Sequence, residues 1–240
     1  MDPELTLDQI DADGAIRETA HGAEAALDGD TRLDFLKKAG LAGGAFVGGG
    51  ALLSALTPAA AMAASGKGRP PAKFGKGDVG ILNFALTLEY LEAAFYNEAS
   101  ANQKKKTFIK DRDTQVFLKR VTADENAHVA FLKKALGHKA IAAPKVDFGA
   151  TTSSEAAFVK TSVALENTGV HAYSAQALNI KAPSTVAAAL SIVTVEARHA
   201  SVAGLLLKPT PANLSPDGAF DTPFTAAQVL KAVEATGFLK

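Results

Sequence analysis

The 240-residue sequence has no cysteine, which excludes disulfides, thiolate zinc sites, cysteine-ligated iron–sulfur clusters and cysteine nucleophiles. Any metal must be held by carboxylates, imidazoles or backbone oxygens, a donor set that suits iron or manganese better than copper(I) or structural zinc. Tryptophan is absent too, and aromatics make up only 7%. That scarcity argues against a β-sandwich and for helices packed through small side chains. Neither sign of charge is in excess, because 25 Lys and Arg balance 25 Asp and Glu. A nucleic-acid partner is therefore not expected, and Lys104–Lys106 reads as a solvated loop. What remains is 48% apolar and 21% charged, the balance of a globular chain long enough for one domain and a tail.

The first 64 residues read as outside that domain. Residues 1–30 form a polar, acidic tail without apolar periodicity, expected to be disordered. Residues 31–64 run from Thr31-Arg32-Leu33-Asp34-Phe35-Leu36-Lys37-Lys38 through a glycine-diluted apolar stretch to Ala61-Met62-Ala63, a small-x-small exit. This order looks like a twin-arginine export signal and gives periplasmic export as the expectation, although Leu33 stands where that motif has its second arginine. An uncleaved membrane anchor and a cytoplasmic tail are the alternatives. Residues 65–76, rich in Gly, Lys and Pro, read as a linker, leaving 77–240 as the folded domain.

From Gly77 onward the apolar period is helical. Leu82, Leu86, Glu89, Ala93 and Tyr96 share one stripe, ending near Asn102 and the Lys104–Lys106 run. Leu118, Val121, Glu125, His128 and Leu132 share a second, stopped by Gly137. Val159, Val163, Glu166, Val170 and Tyr173 form a third, ending before Pro183. Ala189, Ile192, Glu196, His199, Ala203 and Leu206 form a fourth, closed by Pro209. A shorter amphipathic helix is expected over Thr225–Thr236. The irregular His138–Ser153 between the second and third helices makes the connections short, long, short. The expected fold is all-α, a four-helix bundle with one long crossover and a short C-terminal helix.

Each inward stripe carries a glutamate, and burying four unpaired carboxylates would cost several kcal/mol apiece, so a positive centre is expected among them. Helix lengths bring them to one depth. Glu89 lies about 12 residues, roughly 18 Å, before the end of its helix, and Glu125 about 13, roughly 20 Å, into the next. Glu166 and Glu196 repeat the closure. Residues at i,i+3 share a helix face, so Glu125/His128 and Glu196/His199 each offer a carboxylate and an imidazole to a common centre. Two such helices plus Glu89 and Glu166 make the ligand set of a di-iron or di-manganese carboxylate site. Glu89–Tyr96 and Glu166–Tyr173 share a seven-residue spacing, which gives the site an approximate two-fold axis. Tyr96 and Tyr173 are candidates to hydrogen-bond ligand carboxylates, with ordinary core packing the alternative. Glu92, one turn from Glu89, is either a further carboxylate beside the ligands or half of a flanking salt bridge. His171 is expected to point away from the centre.

These residues resemble the ferritin-like superfamily, in its desiccation-related and bacterial ferritin-like domain branch. The Glu…Glu-x-x-His…Glu…Glu-x-x-His order over Gly77–Leu207 is similar to that of bacterioferritins and rubrerythrins. Leu82-Asn83-Phe84-Ala85-Leu86-Thr87-Leu88-Glu89-Tyr90-Leu91-Glu92 resembles the first helix of the desiccation-related branch. The resemblance implies that Glu125 and Glu196 bridge two metals, that Glu89 and Glu166 are terminal, and that His128 and His199 each hold one metal. No rubredoxin-type cysteines and no haem methionine are evident, so the electron donor is left unidentified. The expectation is two iron ions, with manganese as the alternative, reacting with O2 or H2O2 as a ferroxidase or peroxidase in stress protection. The alternatives are a non-catalytic metal-binding or structural stress protein and a manganese catalase-like dismutase. A mineral-storing shell is disfavoured, and homo-oligomerisation is left open.

Overall fold

The computed structural model describes residues 68–210 and 221–240, all within one compact unit. The acidic tail and the export-like segment lie outside the described residues. Among the described residues five α-helices form: α1 (Gly77–Lys105), α2 (Arg112–Leu136), α3 (Glu155–Ala177), α4 (Pro183–Leu207) and α5 (Ala226–Ala235). No strand forms among the described residues, and the only pairing is an isolated bridge between Val146 and Leu239. Helix α1 ends at Lys105, within the Lys104–Lys106 run expected from sequence, and α3 stops at Ala177, before Pro183.

Local chemistry fixes the helix ends. Asp111 accepts from the Thr114 N–H at 2.8 Å to start α2, satisfying one of the donors a helix N-terminus leaves free. Gly137, at φ 55°, ends α2 in a backbone region that other residues avoid. Pro183 opens α4, where its missing N–H is no loss. Thr225 and Gln228 form a capping box at α5. The α1–α2 turn is held by Gln103, whose Oε1 accepts from the Phe108 and Ile109 N–H groups.

The order of apolar contacts along each helix shows the topology. Two clusters of buried apolar side chains form, one including Tyr96, Val121, Val159 and Ala203, the other including Leu86, Leu132, Tyr173 and Ile192. Through these residues, α1 and α4 pass from the second cluster, past the glutamate, to the first, and α2 and α3 pass the other way. Helices α2 and α3 are therefore parallel, each antiparallel to its hairpin partner, and residues 137–154 carry the chain back along the bundle. This is the single-crossover bundle expected from the connection lengths. The crossover is pinned where Asn83 Nδ2 donates to Lys139 O and the Ile141 N–H donates to Asn83 Oδ1.

Residues 68–76, expected as a linker, are docked onto the bundle. Phe74 is buried edge-on against Phe84, and Gly68 O accepts from both Gln176 Nε2 and the Ala226 N–H. Burial of Phe74 overrides the linker-like composition around it. Helices α2 and α4 pack less closely than the two hairpins, leaving between them an apolar groove of about 530 Å³.

Candidate metal centre

All four inward glutamates, Glu89, Glu125, Glu166 and Glu196, are fully buried, between the two apolar clusters. The structure brings all six residues with candidate ligand atoms together in two overlapping quartets. Glu89, Glu125, His128 and Glu196 form one, and Glu125, Glu166, Glu196 and His199 the other, with the ligand atoms of each within 4.8 Å of one another. Glu125 and Glu196 belong to both. The helix carries this geometry: at three residues apart, each Glu-x-x-His pair projects from one face into one centre.

His128 Nδ1 lies 3.2 Å from Glu89 Oε2, 3.2 Å from Glu125 Oε2 and 3.1 Å from Glu196 Oε1. His199 Nδ1 lies 3.0 Å from Glu125 Oε1 and 3.2 Å from Glu166 Oε2. One N–H cannot serve three carboxylates: Glu125 Oε1 and Glu196 Oε1, though close to a ring nitrogen, make no hydrogen bond, and Glu196 Oε2 has none either. Among the described residues no Lys or Arg is paired with these glutamates. Donor atoms held about 2.1 Å from a common ion at right angles to one another sit about 3 Å apart. The crowding of donors and the orphaned oxygens thus fit cations between them.

The two tyrosines cross the bundle. Tyr96 on α1 donates to Glu166 Oε1 on α3, and Tyr173 on α3 donates to Glu89 Oε1 on α1. The seven-residue spacing therefore serves the opposite helix rather than the same one. Each bond occupies one oxygen of a glutamate and leaves Oε2 facing the histidine.

Burial disfavours a charged carboxylate in this cluster. It pushes Glu125 up to about 8, with the neighbouring Glu196 adding to the shift and the histidines opposing it. Glu166 is also raised by burial, and Glu196 well above the usual carboxylate range. For the histidines burial works the other way, but the carboxylates outweigh it: His199 rises to about 11, and His128 is raised as well. Burial, then the charge of its partner glutamate, raises each of Tyr96 and Tyr173 well above its ordinary value. Without metal, the cluster compensates its charge with protons.

Glu92 forms no flanking salt bridge among the described residues; it is 2% exposed, inside the carboxylate cluster. An inward turn of α1 placed it there, which its position one turn from Glu89 left undecided. His171 does point away, its ring stacked on Phe224 at 4.2 Å. Sequence reasoning missed Asp124, whose Oδ2 lies 3.2 Å from His199 Nε2 and 2.7 Å from Arg120 Nε. Its only trace in the sequence is an acid directly before Glu125, turned by about 100° toward the neighbouring helix.

Residues 77–209 match the ferritin-like domain family. No curated protein matches the chain.

Proposed function

The chain belongs to the ferritin-like domain family, and from that premise we propose that its bundle holds a carboxylate-bridged pair of iron or manganese ions. With iron, the reading is Fe(II) oxidation by O2 or H2O2 in protection against oxidative stress. The observation that carries it is the pair of buried quartets sharing Glu125 and Glu196.

When bound, such a pair supplies electrons to an oxidant and charge to stabilise the product. The chain supplies the frame. Glu89 and Glu166 would each hold one ion through Oε2, their Oε1 atoms being engaged by Tyr173 and Tyr96. His128 and His199 would each hold one ion through Nδ1. Asp124 accepts the Nε2–H of His199, which turns the Nδ1 lone pair toward the centre and fixes the ring. Glu125 and Glu196 would span both ions, and these carboxylates and the two Nδ1 atoms must release their protons as metal enters. The apolar clusters above and below exclude water, so the carboxylates keep their orientation.

The test is metal analysis of the purified chain, then Fe(II) addition under air and under peroxide. About two metals per chain and fast oxidation, both lost in Glu125→Ala, support the reading. Stoichiometric metal without rate enhancement replaces it with a binding protein. No metal under any loading condition overturns it.

A further inference from the structure

Glu92 is a fifth buried carboxylate that belongs to neither quartet. It sits one turn after Glu89 on α1. The pseudo-symmetric place on α3, one turn after Glu166, is Gly169. That glycine lies inside a 23-residue helix at no turn, where glycine is less favourable than alanine. Space explains it. A Cβ at residue 169 would lie 3.0 Å from Glu196 Oε2 and 3.4 Å from Glu92 Oε1. The missing side chain is therefore the room in which Glu92 faces the shared glutamate Glu196.

Glu92 Oε2 and Glu196 Oε2 have no hydrogen-bond partner. An orphaned carboxylate oxygen at 2% exposure costs free energy unless a proton or a cation meets it. Burial, and after it the neighbouring carboxylates with Glu196 foremost, raises Glu92 well above the ordinary carboxylate range. Glu92 Oε1 and Glu196 Oε2 both border the space at Gly169, which puts Glu92 beside the glutamate shared by the two quartets. A narrow crevice lined by Leu88, Leu91, Leu165, Gly169 and Val233 reaches it between α1, α3 and α5.

We infer that Glu92 is a seventh metal ligand, binding through its unpartnered Oε2 beside Glu196, and that Gly169 is the space that lets it reach the ions. The inference rests on the metal-binding reading above. Four carboxylates balance the charge of two divalent ions, and a fifth suits a pair of higher charge. Only one hairpin can carry such a ligand, because a side chain at residue 169 would occupy the same space. The centre is two-fold in six ligands and one-sided in the seventh.

The experiment is titration of the metal-free full-length chain with Mn(II) and with Co(II), reading binding constants and the Co(II) visible spectrum. Wild type is compared with Glu92→Gln, Glu92→Asp and Gly169→Ala, each checked for helix content by circular dichroism. Loss of a ligand is expected to weaken one of the two binding steps by at least about tenfold, the lower end of what even supporting residues contribute to metal sites. The Co(II) spectrum should change with it. Glu92→Asp keeps the charge and withdraws the oxygen, and Gly169→Ala keeps the carboxylate and fills its space, so both should weaken the same step. Wild-type affinity and spectrum in Glu92→Asp and Gly169→Ala overturn the seventh ligand while leaving the six-ligand reading intact. No binding by wild type overturns both. Should Glu92→Gln fail to fold, the other two variants decide.

Discussion

The two hairpins of the bundle match residue for residue where they meet the shared centre and differ one turn away. Glu89 corresponds to Glu166, Tyr96 to Tyr173, Glu125 to Glu196 and His128 to His199. Around this common set, Glu92 corresponds to Gly169 and Asp124 to Val195. His199 has a carboxylate on its outer nitrogen, held in turn by Arg120. His128 has no such acceptor among the described residues, and its side chain is 12% exposed. The difference teaches that one set of inner donors can be given two surroundings. Coordination geometry constrains the donors that converge; it leaves their supports free to diverge, and the supports tune each half separately.

The largest expected effect removes a residue common to both halves. Glu125→Ala should lose both ions, whereas Glu89→Ala should lose chiefly the ion of the His128 half. Elemental analysis of metal per chain checks this, and equal losses in the two variants would break the comparison at its root.

The protons held by the metal-free centre come next. Glu125 is raised from 4.5 to about 8 and His199 from 6.5 to about 11. A raised folded-state value means the folded chain binds the proton more tightly. The stabilisation is full below the unfolded value and is lost as pH rises through the folded one. For Glu125 the loss runs from about pH 4.5 to about pH 8, and for His199 from about pH 6.5 to about pH 11. The Tm of metal-free protein should therefore fall between pH 5 and pH 8. Bound metal takes the place of these protons, so the Tm gain on loading should widen over the same interval. A gain independent of pH would show that metal does not enter among these groups.

A smaller effect separates the halves. Asp124→Asn should weaken metal at the His199 half by about 10- to 100-fold, the usual effect of losing the carboxylate behind a ligating histidine. The His128 half should be spared, and Val195→Asp should strengthen that half by giving the His128 ring an acceptor. Two-step metal titration reads both changes. If Asp124→Asn weakens both steps equally, the halves do not act separately.

The smallest effects restore the symmetry. Tyr96→Phe and Tyr173→Phe should each cost about 1.5–3 kcal/mol, the range for a hydrogen bond to a charged group, read by denaturant unfolding of the metal-loaded protein. Nearly equal losses are expected because the bonds are two-fold mates. Unequal losses would mark one terminal glutamate as better supported by other contacts.

Much of the bundle was legible because its causes are local or periodic. Helical stripes, Gly137 and Pro183 announce the elements, and the lengths of the connections announce the crossover. The six candidate ligands were legible for the same reason, since a charged residue in the middle of an apolar stripe is conspicuous. The rest depends on how neighbouring helices are turned. Glu92 is equally consistent with an exposed flank and a buried cluster until α1 is rotated against α3. Asp124 gains its meaning from a histidine on another helix. Gly169 appears as a mere weak point of α3 until Glu92 and Glu196 are seen against it. Phe74 sits in a stretch whose composition says linker, and only the pocket beside Phe84 says otherwise.

The sequence by itself determined that four glutamates and two histidines face inward at one depth, because helical periodicity and rise are properties of the chain alone. The tertiary structure decided which tyrosine holds which glutamate, which histidine is braced and where a fifth carboxylate finds room. Those relations are distances between helices, set by their packing angle and rotation, and no spacing along a single helix encodes them.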